Sequence, residues 1–448
     1  MILGLPWKIL AILALPLLSP IVRPLFPSGR KRAFATVFPV GVYLLLLLFE
    51  LMTRNSTDFP FSTFARLPQE GLLLALCLGI LLLPILLILP ERPSDPNSSR
   101  LPAVWLPCLL TSGSGVAFLG GGSSRALAGG AGLIVLLLLG ALVLDGAFPG
   151  AYRRSFLLRL CVSGLLSVML ALRPAFLGTL AGEGAFLLAL LLLFPAPLSR
   201  RTERVVSPEF LKMDMFFFQC MPPLVLFQLL RAAAPGFPGA FLFFGALSLG
   251  WGLLGLFRTK TAHYVQEAAD GLVAAGMGGM AGGLLSGTAQ GRSGGLFMAL
   301  LLPQAALLGG MVLSSLVLRY RVRTVAGLSG AGTMIGPLRL AFLLAAFQGM
   351  SLPLVGGFMA EWRLLLGIWS RSPLLGVVVL AGLFFSFSLV LSFLRTIFSG
   401  EGPSLSRGDG EIVKTLWPGE LLAFGTAGFF LLLTDLVSTR GGIFGGSP

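Results

Sequence analysis

The residues of this chain that could do chemistry are the few ionisable ones set in or beside long apolar runs. The acids are Glu50, Asp145, Glu183, Asp270, Glu361 and Asp435, and the bases are Lys212, Arg231, Lys260 and His263. A charge inside a lipid-embedded helix costs several kcal/mol, so each is a functional candidate until an interface or a neighbour explains it. Glu50, Glu183, Asp435 and Lys212 fall near the ends of their runs, where a side chain can snorkel to the interface. Asp145 precedes Gly-Ala-Phe-Pro and reads as a helix end too. Glu361 differs from these. It follows a break, Gln348-Gly349-Met350-Ser351-Leu352-Pro353, and precedes another apolar stretch over 364–369. Low dielectric favours the neutral form of a carboxyl group, so an acid at such a place can carry a proton near neutral pH. His263, the one histidine, stands before Tyr264 and reads either as a hydrogen-bonded packing residue or as a proton relay. Lys260 is a further candidate base just upstream.

These groups must be positioned by helices in a membrane. The 448 residues are 56% hydrophobic and only 11% charged, with a mean hydropathy of +0.93. A soluble domain carries roughly 25% charge because it needs a wetted surface. Here apolar runs such as 42–49, 71–89, 133–144, 187–194 and 376–393 are divided by short polar or Gly/Pro-rich joints. Backbone amides in a bilayer core have no water to bond to, so runs of this kind are α-helices. They lack the period-2 alternation of a transmembrane β-barrel. Spans are expected near 4–22, 33–52, 71–89, 103–120, 127–148, 155–173, 181–198, 214–231, 236–256, 268–287, 294–318, 335–368, 373–395 and 419–438. The fold class is an all-α polytopic membrane protein of about 14 transmembrane helices. The block at 335–368 is either one interrupted helix or two short pieces. The opening MILGLPWKILAILALPLL is expected to be a first span rather than a removed signal, since it lacks a small-residue cleavage site.

The net charge of +14 sits at the ends of apolar runs, as in Arg30-Lys31-Arg32, Arg153-Arg154, Arg200-Arg201 and Arg319, Arg321 and Arg323. That distribution sets topology and meets lipid headgroups; a nucleic-acid partner would need the charges on one face. The four cysteines, Cys77, Cys108, Cys161 and Cys220, lie in apolar stretches without metal-ligand spacing, so no metal site is expected. Gly-rich runs such as 276–283 (GMGGMAGG) lack the Lys-Ser/Thr ending of a phosphate loop and read as helix contacts; no cofactor is expected. Two proline-marked places, Phe194-Pro195-Ala196-Pro197 and Gln348–Pro353, each remove a backbone donor and should unwind a turn. A pair of such breaks in two halves of a transporter marks an ion pathway. A simple proline-marked helix end is the other reading of each.

The stretch 347–367, FQGMSLPLVGGFMAEWRLLLG, resembles the interrupted late helix of the antiporter-like subunits of respiratory complex I, and most of all the subunit 4 branch of NADH dehydrogenase. That branch carries a Gly-x-Pro break followed by a Phe-x-Gly-Glu-Phe element. Gly357-Phe358-Met359-Ala360-Glu361-Trp362 stands in for the element, with Glu361 on its acid. Upstream, 263–273 resembles the family's Ala-Tyr-Ser-Ser segment and the helix after it. Residues 302–324 resemble the helix that bears a His-Gly-Leu motif and ends in Tyr-Asp-Arg-x-x-Thr, with Gln304 on the histidine and Tyr320, Arg321 and Thr324 near the ending. Downstream, 391–400 (LSFLRTIFSG) resembles the closing Arg-x-x-Phe-Gly pattern. The resemblance covers about residues 250–400.

The resemblance implies an antiporter-like fold with two inverted five-helix repeats and interrupted helices, in a single transmembrane domain over 1–448. It divides into N-terminal helices (1–120), a first half (121–232), a second half (233–400) and a C-terminal helix and tail (401–448). It also implies a non-redox subunit of a proton-translocating NADH:ubiquinone reductase in the mitochondrial inner membrane. Its expected partners are the other membrane-arm subunits of complex I and membrane lipids. Glu361 would be a proton carrier, with His263 and Lys260 as candidate relays and Gln304 at a channel position. The chain departs from the family at its two lysines, which fall near Leu193 and Pro223, while the first-half glutamate has only Asp145 nearby. Pumping would then need Arg231, Lys212 or His263 as a substitute. The rival readings are a stand-alone cation/proton antiporter, a structural subunit that has lost its channel, and an unrelated secondary carrier.

Overall fold

The computed structural model describes residues 7–22, 29–53, 69–88, 110, 223–224, 226–227, 230, 241–320, 324–330, 336–349, 356–399 and 418–439. The chain divides into two compact units, Met1–Leu190 and Leu191–Pro448. Among the described residues the structure is helical, with a single isolated bridge between Tyr264 and Thr324.

In the first unit, α1 (Trp7–Ala14) passes through a 3₁₀ turn at Leu15–Leu17 into α2 (Leu18–Val22), and α3 (Gly29–Thr53) and α4 (Gln69–Ile88) follow. The kink falls at Pro16, which has no amide hydrogen for the helix ladder. Ser19 Oγ donates to the Thr36 carbonyl at 2.7 Å and ties α2 to α3. Tyr43 and Leu47 fill the core between α3 and α4, while Phe34, Phe38 and Leu45 face outward. Glu50 lies in the last turn of α3, as its place near a run's end leads one to expect, and is 6% exposed there. Position along a span does not tell which neighbouring helix covers a side chain.

The second unit holds α5 (Phe241–Thr261), α6 (Val265–Leu285), α7 (Ala289–Tyr320), α8 (Gly336–Gly349), α9 (Gly356–Arg371), α10 (Pro373–Phe398) and α11 (Pro418–Thr439). α5 and α6 run antiparallel at close range because glycines face each other. A Cβ on Gly255 would lie 2.7 Å from the Gly271 carbonyl oxygen, and one on Gly278 would lie 2.7 Å from that of Ser248. This is how a bilayer replaces hydrophobic drive with backbone proximity. α6 turns into α7 over three residues, with Gly287 at φ +71, a conformation natural to glycine. Hydroxyls close that turn: Ser286 Oγ donates to Gly283 O at 2.6 Å, and Thr288 Oγ1 accepts from Gly291 N at 3.0 Å.

α8 ends at Gly349 and α9 begins at Gly356, and the residues of the expected break, 350–355, lie outside the described residues. α10 follows α9. Its start is set by Ser372, whose hydroxyl accepts from Leu375 N, with Pro373 in the first turn. Stretches Phe34–Leu51, Leu242–Thr261, Glu267–Leu285, Ala289–Leu313 and Pro373–Phe398 are long and apolar enough to cross a membrane. Large apolar side chains on α5 and α10, such as Leu242, Phe243, Leu374 and Phe384, point outward, as lipid contact requires. The expected spans between 103 and 231 lie outside the described residues, apart from a few single positions.

Candidate functional site

Glu361 stands one turn into α9. Gly357 packs directly against Gln348 at the end of α8, where a Cβ would come within 2.7 Å of the Gln348 Nε2. Glycine at 357 therefore lets the two pieces overlap. The buried face of α9, Ala360, Leu364, Leu365 and Ile368, sets its rotation, while Trp362 and Trp369 face outward. Glu361 itself is partly buried.

Two cavities meet at this carboxyl group. The larger, of about 260 Å³, runs among α5, α6, α7, α8, α9 and α10. Besides Glu361 its polar walls include Gln348, Ser386, Ser392, Thr396, Thr259 and Lys260; its apolar walls are mainly Ala, Gly and Leu from α6 and α7. One water needs roughly 10–15 Å³ of such space, so this cavity has room for a chain of them. On α10 the lining side chains extend from Ser386 to Thr396, a rise of about 15 Å at 1.5 Å per residue. The smaller cavity, of about 70 Å³, lies on the other side of Glu361 and is walled by Leu249, Leu253, Val378, Val379 and Leu383 among others. Gly276, Met298, Glu361 and Ser386 line both.

Lys260 is at the C-terminal end of α5, exposed at the far end of the larger cavity. The local frame is held by Thr259, whose hydroxyl reaches the carbonyls of Gly255 and Ala268 at 3.1 and 3.2 Å, and by an Arg258–Glu267 ion pair at 3.7 Å. The structure thus brings Glu361 and Lys260 onto one cavity. His263 lies just outside it, exposed in the α5–α6 connection, with its ring edge-on to Tyr264. Its carbonyl accepts from Val325 N at 3.0 Å. Gln304 is 3% exposed and turned away from the cavity walls. Its amide nitrogen is 3.1 Å from Thr434 Oγ1 on α11, and its amide oxygen is 3.2 Å from the same hydroxyl. Of the other acids, Asp270 is on α6 and partly buried; Asp145 and Glu183, like the bases Lys212 and Arg231, lie outside the described residues.

Two residues of the site are missed by sequence reasoning. Ser386 is hidden because a serine in an apolar helix looks like any small packing residue. Arg363 is hidden by its closeness to an expected span end. Its guanidinium donates to Ser293 Oγ at 3.1 Å and lies 4.9 Å above the Phe297 ring, joining α9 to α7. Among the described residues no group of three His, Cys, Asp or Glu side chains could hold a metal ion. In chemical terms, the arrangement lets one carboxyl group take and give a proton through water and hydroxyls.

No protein-family model and no curated protein matches this sequence. Solved structures do match. A chain of respiratory complex I from Thermus thermophilus with bound NADH is similar at a TM-score of 0.70 and 19% identity, over 97% of this chain and 97% of that one. A chain of the membrane-bound sulfane sulfur reductase, an archaeal respiratory membrane complex, is similar at 0.69 and 14% identity, over 98% of this chain and 78% of that one. A chain of the Mrp complex from Dietzia sp. DQ12-45-1b is similar at 0.67 and 14% identity, over 96% and 95%. This chain therefore has, over nearly its whole length, the all-α, multiply spanning fold found in those membrane complexes.

Proposed function

We propose that this chain is an antiporter-like membrane-arm subunit of an NADH:quinone oxidoreductase, holding no redox centre and moving protons across the bilayer. The observation that carries the reading is Glu361, at the junction of two cavities, in a fold similar to a complex I chain over 97% of both lengths. A carboxyl group in a low-dielectric site, with hydroxyls lining the cavity that leads to it, is a proton carrier in chemical terms. Lys260 at the far end of the cavity and His263 at the edge of that path are its relays. Gln304, bonded to Thr434, is a structural link between α7 and α11 rather than a proton site. The complex's other membrane-arm subunits and lipids are the partners in this reading. The mitochondrial inner membrane and ubiquinone belong to it as its finer form; the coarser form needs only a coupling membrane.

A second reading is a cation/proton antiporter, favoured by the similarity to an Mrp complex chain. Gentle extraction of native membranes, native electrophoresis with NADH-dehydrogenase staining and mass spectrometry of the stained band separate the two. The proposal expects this chain in a large NADH-oxidising band. It further expects Glu361→Gln to lower protons moved per NADH oxidised while the complex still assembles. Unchanged pumping in an assembled Glu361→Gln complex would sink the proton role. Exchange of Na⁺ or K⁺ for H⁺ by the purified chain in vesicles would favour the second reading.

A further inference from the structure

The larger cavity has a mouth where α5 stops and α10 continues. A Cβ on Gly382 would lie 3.5 Å from the Leu253 side chain, and the Phe257 and Phe385 rings are 5.4 Å apart. α5 and α10 therefore run side by side in the same direction. Extending that pairing brings Thr261, the last residue of α5, level with about Leu389, while α10 goes on to Phe398. For about nine residues, or about 13 Å, α10 thus runs beyond the end of α5. The mouth lies in that gap. Lys260 and Ser392 line the cavity and are exposed, and Ala269, Leu272 and Thr396, which also line it, are partly exposed.

Rim and interior differ in kind. At the rim Lys260 brings an ammonium group, and Arg395, exposed on α10 between Ser392 and Thr396, brings a guanidinium. The hydroxyls of Ser392 and Thr396 add donors there. Beside the rim, Phe387 and Leu391 of α10 face outward, as lipid contact requires. Inward, α6, α7 and α10 offer Leu272, Gly276, Leu302, Ala305 and Leu389 before Glu361 is reached. The apolar slot is about 10 Å deep along α6, from Ala269 to Gly276, and about 15 Å along α10, from Thr396 to Ser386. An extended chain advances about 1.2 Å per bond, a third of the about 3.6 Å of an extended residue, so the slot takes about eight to twelve carbons.

We infer that this cavity binds a single-chain anionic amphiphile, a long-chain carboxylate, with its head between Lys260 and Arg395 and its chain along Leu272, Gly276 and Leu302 toward Glu361. The bilayer beside the rim supplies such molecules by lateral diffusion. Lipid tails are as apolar as the cavity walls, so the chain gains little by leaving the bilayer and the two cations set the preference. A basic group near the membrane surface is worth about fivefold in binding an anion there, so the pair is worth about twenty-five-fold. The inference stands on the cavity and its rim and not on the proton reading; occupancy here and pumping in Glu361→Gln are separate results, and either can fail alone.

The test is photolabelling of the assembled complex in phosphatidylcholine nanodiscs with dodecanoate that carries a diazirine near its terminal carbon, read by mass spectrometry of the labelled peptides. We expect labels on Glu361, Gly276 and Leu302 at least tenfold above those on Phe384 and Leu391, which face outward on α10 and report probe dissolved in the bilayer. Unlabelled dodecanoate should displace the probe, and methyl dodecanoate, with the same chain and no charge, should not. Lys260→Gln and Arg395→Gln should each weaken displacement by dodecanoate about fivefold, and the double variant about twenty-five-fold. The ester comparison needs no substitution, so it decides the point even where a variant fails to assemble. Labels gathered on Phe384 and Leu391 would mean a bilayer solute only and would overturn the inference. So would displacement by the methyl ester equal to that by the acid, or unchanged affinity in the assembled double variant. Stronger displacement by phosphatidylglycerol, an anionic lipid with two chains, would overturn the single-chain assignment.

Discussion

Arg363 allows a prediction that can be worked from distances. It follows Glu361 by two positions, about 200° around a helix of 3.6 residues per turn, so the two side chains leave α9 on opposite faces. Anchoring Arg363 to α7 thereby aims Glu361 at α10 and the cavities. The anchor has two parts, the 3.1 Å bond to Ser293 Oγ and the 4.9 Å approach to the Phe297 ring. Interhelical hydrogen bonds in a membrane protein average about 0.6 kcal/mol and reach about 1.7. A cation over an aromatic face contributes about 0.5–1 kcal/mol when exposed and about 2 when desolvated. Phe297 is 2% exposed and Arg363 partly buried, which favours the middle of that range. Arg363→Ala should then cost about 1–4 kcal/mol, and a cycle with Phe297→Leu should return a coupling of about 1 kcal/mol. The assay is reversible unfolding of the four variants in mixed micelles. Proton pumping by Arg363→Ala in the assembled complex should also fall, with Arg363→Lys between it and the unsubstituted chain. A coupling below about 0.3 kcal/mol, the scale on which independent sites add, would refute the anchor.

Two further outcomes follow from packing. Gly278→Val places a Cβ 2.7 Å from the Ser248 carbonyl oxygen and should force α5 from α6 at a cost of about 1–3 kcal/mol, read as a lower unfolding midpoint; no change would mean the helices are not in backbone contact. Thr434→Val removes the hydroxyl bonded to Gln304 and should cost about 0.6–1.7 kcal/mol. Gln304→Leu added to Thr434→Val should recover part of that loss, and full additivity of the two would count against the bond.

Much of the architecture is legible in the sequence because lipid imposes a simple rule on the chain. Runs expected at 268–287 and 373–395 appear as α6 over Val265–Leu285 and α10 over Pro373–Phe398, since polar residues and proline mark their ends. The span expected at 294–318 falls within α7, whose crossing stretch, Ala289–Leu313, starts earlier. Its first turn, with Gln290, Gly291 and Arg292, is polar in sequence but is held by the Thr288 hydroxyl. Relations across helices are what a sequence does not display. The Gln304–Thr434 bond joins residues 130 apart. The larger cavity arises from small residues such as Ala305 and Gly309 facing Ala345, and in sequence a small residue that leaves space is no different from one that lets helices touch.

The three-residue connection between α6 and α7 is closed by its own hydroxyls around Gly287, which fixes that end of α6. α6 has 21 residues, a lever of about 31 Å at 1.5 Å per residue. A tilt of about 5° about that pivot moves its other end by about 2.7 Å, close to the width of one water. The far end is the mouth beside Lys260. A tilt of α6 about that connection would therefore be largest at the end beside Lys260, which is the end that the Thr259 hydroxyl, the Arg258–Glu267 pair and the Tyr264–Thr324 bridge hold in place.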